Sequence, residues 1–458
     1  MSVFATEHKA TPGYLDVAAN ANGAEKGLLM HRALQRVTSP RPHLVEIGPG
    51  GGAAVAYLAE RLQMSDRSDH ANDITLTLIE VPGVVSRSLT EAMNAFDRTG
   101  TCTLVEGFAQ DIDTLLDRRA DVIGASALLH EVYSYAGGYG GIHSLMRKIP
   151  RVLTGEGYFA YRDVYAVRAP SLHERVTHAY DGPSWLQFLR MFLPHYIREG
   201  THPYHHAEDE VVARQGSRIT PVDDLSRTTG AVIGAPVGLF REVQRHYITF
   251  RDHVWRSGVL GFVPVLDGQL AADWLDARTG HKRVRYVLTG SDWLPRSHKA
   301  MLLAVSEPYG DRYTVDGDIF DECTDVALTA FLTAAERGDT ACLAIWEAWS
   351  TREGRETYAY LTLGELITAF AVNSATEESV LLPVEPEDVL VQQRNYYNRY
   401  LTKRLPNPLD DAKQLVLFRR IPFIDTETLG QAMTTVQGWC SKRNLTRVYR
   451  AINTGEGT

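Results

Sequence analysis

Over the first third of the chain, apolar positions change period again and again. Residues 43–47 are a short apolar run, and over 53–62 Val55, Leu58, Ala59 and Leu62 recur three and four apart, the period of a helix. The same exchange recurs downstream: strands at 74–79, 101–105, 120–125 and 157–162, and helices at 84–96, 112–116 and 142–153. Strands that alternate with helices at such intervals predict a parallel sheet covered on both faces. The fold expected is therefore α/β, a doubly wound, mostly parallel sheet over 40–165.

Outside that block the rhythm differs. Residues 14–37 contain few breakers and carry Leu28, Leu29, Leu34 and Val37, which predicts a helical N-terminal segment over 1–39 that acts as a lid. Beyond Asp163, residues 184–198 are apolar and aromatic, and 239–254 place Leu239, Val243, Tyr247, Phe250 and Val254 on one helical face. The polar stretch 208–230 between them reads as a connection. A mainly helical insertion or cap over 166–282 and a large α+β C-terminal portion over 283–458 follow, with strand character at 414–418 that could close the sheet.

The 458 residues carry 47 Lys and Arg against 56 Asp and Glu, a formal charge of −9. That balance argues against bulk nucleic acid as a partner, because such affinity comes from clustered cations. Four scattered cysteines, Cys102, Cys323, Cys342 and Cys440, suggest neither a disulfide framework nor a thiolate metal site. No basic-apolar leader and no window of the roughly 20 apolar residues that span a bilayer is present, so the expectation is a cytoplasmic protein that does not engage membranes.

The densest chemistry lies where the first strand ends. Val45-Glu46-Ile47-Gly48-Pro49-Gly50-Gly51-Gly52 joins an apolar run to a helix start. Glycines there allow a tight turn and close approach of a ligand, and the helix N-terminus adds free N–H groups. The spacing also fits a dinucleotide loop, but a carboxylate at Glu46 would face a pyrophosphate unfavourably and suits an ammonium group better. The run resembles the first motif of class I S-adenosylmethionine-dependent methyltransferases, (D/E)xGxGxG. That resemblance covers about residues 40–165. It implies that Gly48, Pro49, Gly50 and Gly52 pack against S-adenosylmethionine and that Glu46 supports its methionine ammonium. Glu80, ending the second strand, takes the ribose hydroxyls and Val81 packs on the adenine. After the third strand the family carries Gly-Asp, whereas this chain reads Gly107-Phe108-Ala109-Gln110-Asp111. Phe108 stands where the acid is expected, and either it stacks on the ring or Gln110 or Asp111 substitutes. Ser126 completes the cofactor set.

Ligands of open α/β sheets lie beyond the carboxyl ends of the strands. The segments there are Ser126-Ala127-Leu128-Leu129-His130-Glu131-Val132-Tyr133-Ser134-Tyr135 and Tyr161-Arg162-Asp163. They resemble a subset of the same family with His-Glu-(Ile/Val)-Tyr-Ser-Tyr after the fourth strand. His130 is the first candidate base, with Glu131 and Asp163 as alternatives. Arg162 is expected to bind an acceptor carboxylate or to pair with one of those acids, and Tyr133, Tyr135 and Tyr161 to shape the acceptor pocket. Gly137-Gly138-Tyr139-Gly140-Gly141 reads either as a mobile closing loop or as a plain connection.

Other clusters carry less. His195, His202, His205, His206, Glu208, Asp209 and Glu210 lack a ligand spacing and read as a polar loop, so no metal is expected. Residues 394–404 mix basic and aromatic side chains and read as a helix covering the core. Together these readings predict an S-adenosylmethionine-dependent methyltransferase acting on O or N of a specialised small-molecule or peptide-like acceptor, with natural-product biosynthesis as the expected setting. A binding module on the same fold, or another reaction of the same cofactor, is the alternative. A homodimer is compatible with the sequence.

Overall fold

The computed structural model describes residues 23–64, 73–84, 86–199, 202–203, 211–265, 283–290, 296–390, 396–410 and 412–454. The chain divides into two compact units. One comprises residues 1–171, 357–390 and 412–458, and the other residues 172–356 and 391–411.

The first unit is built on a seven-stranded sheet. Its strands are β1 (His43–Ile47), β2 (Thr75–Glu80), β3 (Thr101–Glu106), β4 (Ala120–Ser126), β5 (Leu153–Ala166), β6 (Ser379–Leu390) and β7 (Ala412–Pro422). The spatial order is 3-2-1-4-5-7-6. The first five strands run parallel, and β7 lies antiparallel between β5 and β6. The doubly wound sheet expected from the alternating periods is present, and the strand foreseen near 414–418 joins it, but as an inner strand: β6, which was not foreseen, forms that edge.

Side chains alternate across a sheet, so two cores form. Even-numbered positions of β1, β2, β4 and β5, including Leu44, Leu76, Leu78, Val122 and Ala160, pack under α1 (Gly23–Leu34), α2 (Ala53–Gln63) and α3 (Arg87–Phe96). Odd-numbered positions, including Val45, Ile47, Ile123, Ala125, Phe159 and Tyr161, pack under a second set of helices. These are α4 (Leu129–Tyr135), α5 (Tyr139–Val152), α6 (Leu363–Ser374), α7 (Thr426–Trp439) and α8 (Lys442–Thr454).

Several expectations are refined. Of the N-terminal segment expected as a lid, residues 1–22 lie outside the described residues, and α1 buries Leu29, Met30, Ala33 and Leu34 in the sheet core. It sits so close that a Cβ on Gly124 of β4 would lie 2.2 Å from the Met30 sulfur. The C-terminal portion is not one region, since its strands at 379–390 and 412–422 belong to the first sheet, a pairing 200 residues and more from β5 that local periodicity cannot show. The glycine tract is largely helix: Tyr139, Gly140 and Gly141 form the first turn of α5, with Gly141 close against the Ala136 backbone. Finally, the polar stretch before 230 holds a hairpin, Val212–Gln215 with Arg218–Thr220, which pairs onto Ala231–Pro236.

The second unit contains that sheet, completed by Arg175–Tyr180, and a second antiparallel sheet of Phe262–Pro264, Arg283–Leu288, Arg312–Asp316 and Glu307–Tyr309. Its long helices are Pro183–Glu199, Val237–Ser257, Gly317–Glu336 and Thr340–Arg352, the last two separated at Gly338, whose φ is +84°. The helix Tyr396–Arg404 buries Tyr400 and Leu401, as expected of a helix covering a core. Among the described residues no helix is long and apolar enough to cross a membrane, and no His/Cys/Asp/Glu group could hold a metal ion. Residues 204–210, with His205, His206, Glu208, Asp209 and Glu210, lie outside the described residues.

Candidate functional site

The carboxyl ends of β1, β2, β4 and β5 carry the charged residues of the first unit, and strand parity sorts them. Glu46, Glu80, Ser126 and Arg162 share the face that α1 covers, and Asp163 projects to the other.

On the α1 face, β1 runs out into a loop that only glycine adopts cheaply. Gly48, Gly50 and Gly52 have φ of +69°, +54° and +77°, in the left-handed region. Gly52 then caps α2 without any side-chain cap, and a Cβ there would stand 2.9 Å from Ala92 Cβ. The loop is tied to β2: the Gly48 amide donates to the Ile79 carbonyl at 2.9 Å, and the Gly50 amide donates to Glu80 Oε2 at 3.1 Å. The other Glu80 oxygen accepts from the Val81 amide at 2.9 Å, so two backbone donors fix this carboxylate at the strand end. Gly107 is held beside it, its amide donating to the Glu80 carbonyl at 2.9 Å. Phe108 presents a ring that is 39% exposed, and Ala109 opens a short 3₁₀ turn.

Glu46 differs from Glu80. It is 3% exposed, and its Oε2 has no hydrogen-bond partner among the described residues. Burial, with the charge of Glu80 adding to it against the attraction of Lys26, pushes its carboxyl up to about 7. An orphaned carboxylate oxygen in a dry site costs about 1–3 kcal/mol or more, so it calls for a donor beyond the described residues.

Two residues of α1 enter the same space, and the sequence reading had missed both. Glu25 accepts from Lys413 of β7 at 2.6 Å and from Arg162 Nη2 at 3.5 Å. Burial works against its charge, but Arg162 and Lys413 outweigh it and hold its carboxyl below the usual glutamate range. Lys26 is pushed down to about 8 by burial and by the Arg162 charge, with Glu46 and Glu25 acting against them. Arg162 also donates from Nη1 to Ser126 Oγ at 3.3 Å, and its Nε has no partner. The expected pairing of Arg162 with Glu131 or Asp163 is therefore overturned for Asp163, because consecutive strand residues face opposite ways; the acid at Arg162 is Glu25. Nothing within the chain's first 40 residues marked Glu25 and Lys26 beyond their presence on a helix.

On the other face, β4 leaves the sheet by an abrupt turn. Ala127 has φ +54°, a left-handed conformation that costs an L residue roughly 1–2 kcal/mol, and its amide donates to the Arg162 carbonyl at 2.8 Å. Strain of this kind collects at functional sites. It delivers His130 in the first turn of α4, where His130 Nδ1 meets Asp163 Oδ1 at 2.9 Å and the His130 amide donates to Oδ2 at 3.2 Å. Asp163 also accepts from the Val164 amide and the Tyr360 hydroxyl, both at 2.9 Å. Burial works against its charge, but His130 and these donors outweigh it and hold the carboxyl below the usual aspartate range.

The tyrosines fall out unequally. Tyr161 and Tyr133 are 1% and 2% exposed. The Tyr161 hydroxyl lies 2.8 Å from that of Tyr360, and the Tyr133 ring stacks on the Tyr360 ring. Both are thus packed as support behind the site rather than on its surface, while Tyr135 is half-buried. Glu131 is half-buried on α4, next to His130 in sequence.

No family model matches the chain, and no curated protein does. Solved structures similar to parts of it include the CcbJ methyltransferase from Streptomyces caelestis, 18% identical over 37% of this chain and 67% of that one, with TM-score 0.25. A rRNA methylase from Streptococcus thermophilus is 12% identical over 46% of this chain and 95% of that one, with TM-score 0.21. The plantazolicin methyltransferase BamL, solved with a triazolic desmethylPZN analog and SAH, is 15% identical, with TM-score 0.19. There the similarity covers 35% of this chain and 58% of that one, less than two thirds of its length.

Proposed function

We propose that the first unit binds S-adenosylmethionine and that the protein transfers its methyl group to O or N of a specialised small-molecule or peptide-like acceptor. The observation that carries this reading is the buried Glu46 carboxylate with an unpartnered oxygen beside a left-handed glycine loop. Such a group fits an ammonium and not a phosphate, which separates this loop from a dinucleotide site.

The residues fit the cofactor in kind. Glu46 would take the methionine ammonium, and Arg162 and Lys26, cations beside it, the methionine carboxylate. Gly48, Pro49, Gly50 and Gly52 would line its path, Glu80 would accept the ribose hydroxyls, and Val81, Gly107, Phe108, Ala109 and Ser126 would border the adenosine. When bound, the cofactor supplies an electrophilic methyl on sulfur.

The chain's own part is the acceptor proton. A carboxylate only accepts hydrogen bonds, so Asp163 requires the proton of His130 on Nδ1, which leaves the lone pair on Nε2. Nε2 would take the acceptor proton as the new bond forms, and Asp163 would stabilise the imidazolium. Glu131, the next residue on α4, is the alternative base. Acceptor choice, on this reading, is encoded outside the residues that hold the cofactor, and a natural-product pathway is the setting proposed.

Calorimetric titration with S-adenosylmethionine and its demethylated product tests the reading. Binding is expected, with Glu80→Ala at least about 100-fold weaker, the scale of a charge-assisted hydrogen-bond pair. No heat with the unsubstituted protein, or a Glu80→Ala variant that binds as well, sinks it.

A further inference from the structure

We propose that Tyr360 is a positioning residue for the His130 imidazole, acting through Asp163, and that the segment 357–362 is the support on which this histidine is set. The inference deepens the reading of His130 as base and rests on it only for its catalytic meaning.

The segment follows the second unit directly in sequence and ends at α6. It is fastened at both ends. The Thr357 amide donates to Ser134 Oγ at 2.8 Å, and Ser134 Oγ in turn donates to the His130 carbonyl at 2.7 Å. At the far end Thr362 and Glu365 form a reciprocal capping box, the Thr362 amide donating to Glu365 Oε2 at 2.8 Å. Between these anchors the Tyr358 ring stacks on the His130 ring, centroids 4.7 Å apart and 28° from parallel. The Tyr360 carbonyl accepts from the Tyr139 hydroxyl at 2.7 Å, and the Tyr360 hydroxyl donates to Asp163 Oδ2.

Proton counting gives the chain of donors a direction. Asp163 can only accept, so the Tyr360 proton points to it, and the Tyr161 hydroxyl 2.8 Å away is placed to donate to the Tyr360 oxygen. Donation into Tyr360 strengthens its own donation to Asp163. The carboxylate charge is thereby shared between Tyr360 and His130 instead of falling wholly on the imidazole. Among the described residues, the groups packed against His130 and Asp163 include Tyr358 and Tyr360 of the segment, with Tyr161 of β5, Tyr133 of α4 and Tyr139 of α5 against Tyr360. Removing the Tyr360 hydroxyl leaves more negative charge on the His130 side and favours the protonated imidazole.

The test is the proton and nitrogen NMR titration of His130 in the full chain, which needs no acceptor. Tyr360→Phe is expected to raise the titration midpoint by about one pH unit, a tenfold change in proton affinity. Tyr161→Phe should move it the same way by less, and this variant carries the test if Tyr360→Phe does not fold. An unmoved midpoint in Tyr360→Phe, or in Tyr161→Phe where it stands in, while Asp163→Asn shifts the same signal, overturns the proposal. Calorimetry with S-adenosylmethionine on the same samples separates the two claims: an unsubstituted protein that binds none counts against the methyltransferase reading, and the His130 titration still decides the role of Tyr360.

Discussion

The two faces of the first unit's sheet bury charge at the same strand ends and treat it in opposite ways. On the odd-numbered face Asp163 has four donors and a histidine opposite, so a fully buried carboxylate stays ionised. On the even-numbered face Glu46 has an oxygen with no partner and a carboxyl pushed up to about 7, although Lys26 stands near. A carboxylate whose hydrogen bonds are complete is finished as a structural and electrostatic device. One that is left incomplete has been shaped for something that arrives later. On the reading proposed above, proton handling falls to one face and ligand capture to the other, and neighbouring residues of one strand, Arg162 and Asp163, lie on different faces.

The comparison can be broken most sharply at Asp163. Asp163→Asn keeps the shape but reverses the polarity of one atom, and turnover, followed as release of the demethylated cofactor product, is expected to fall about 10,000-fold, the scale found when a histidine is held in the wrong tautomer. Cofactor affinity should stay within about threefold; a parallel loss of affinity would show that the two faces are not separate.

Next in size is Glu46. Burial raises its carboxyl from the ordinary glutamate range to about 7, so the folded protein binds the extra proton between those values and loses stability as pH rises through them. At 1.36 kcal/mol per unit this amounts to about 3 kcal/mol at most. Glu46→Gln should therefore be more stable than the unsubstituted protein above pH 7, by about 2–3 kcal/mol in chemical denaturation, and should show no such gain near pH 4. Cofactor affinity of the unsubstituted protein should climb as pH rises toward 7, because Glu46 must ionise to meet an ammonium, and Glu46→Gln should bind weakly without that climb. A pH-independent affinity would remove Glu46 from the cofactor site.

The smallest effect sharpens the loop's share. Gly52→Ala places a Cβ at φ +77° and within 3.0 Å of Leu89 and Ala92, and should destabilise by about 1–3 kcal/mol in thermal unfolding. The His130 titration on the opposite face should not move.

Most of the first unit's sheet was legible because its strands and helices follow one another closely and each periodicity is local. The glycine loop and Glu80 were legible for the same reason, their meaning lying in position relative to strand ends. What escaped were partners supplied from far along the chain. Tyr358 and Tyr360 sit 228 and 230 residues beyond His130 in order, after the whole second unit, and no spacing rule connects them. Glu25, Lys26 and Lys413 escaped likewise. Tyr133 and Tyr161 were recognisable as aromatic groups near the site, but burial behind it could not be read from composition.

By itself, the sequence determined the alternating α/β frame, the left-handed glycine turn and the acids that end β1 and β2, since each is set by the neighbours of a residue within a few positions. Only the tertiary structure decided which face each charge occupies, which carboxylate is completed and which is left wanting, and that β6, β7 and the segment 357–362 return to the sheet. Those outcomes depend on strand register and on contacts between residues hundreds of positions apart, where the energy of a buried charge is set by what packs around it rather than by what precedes it in the chain.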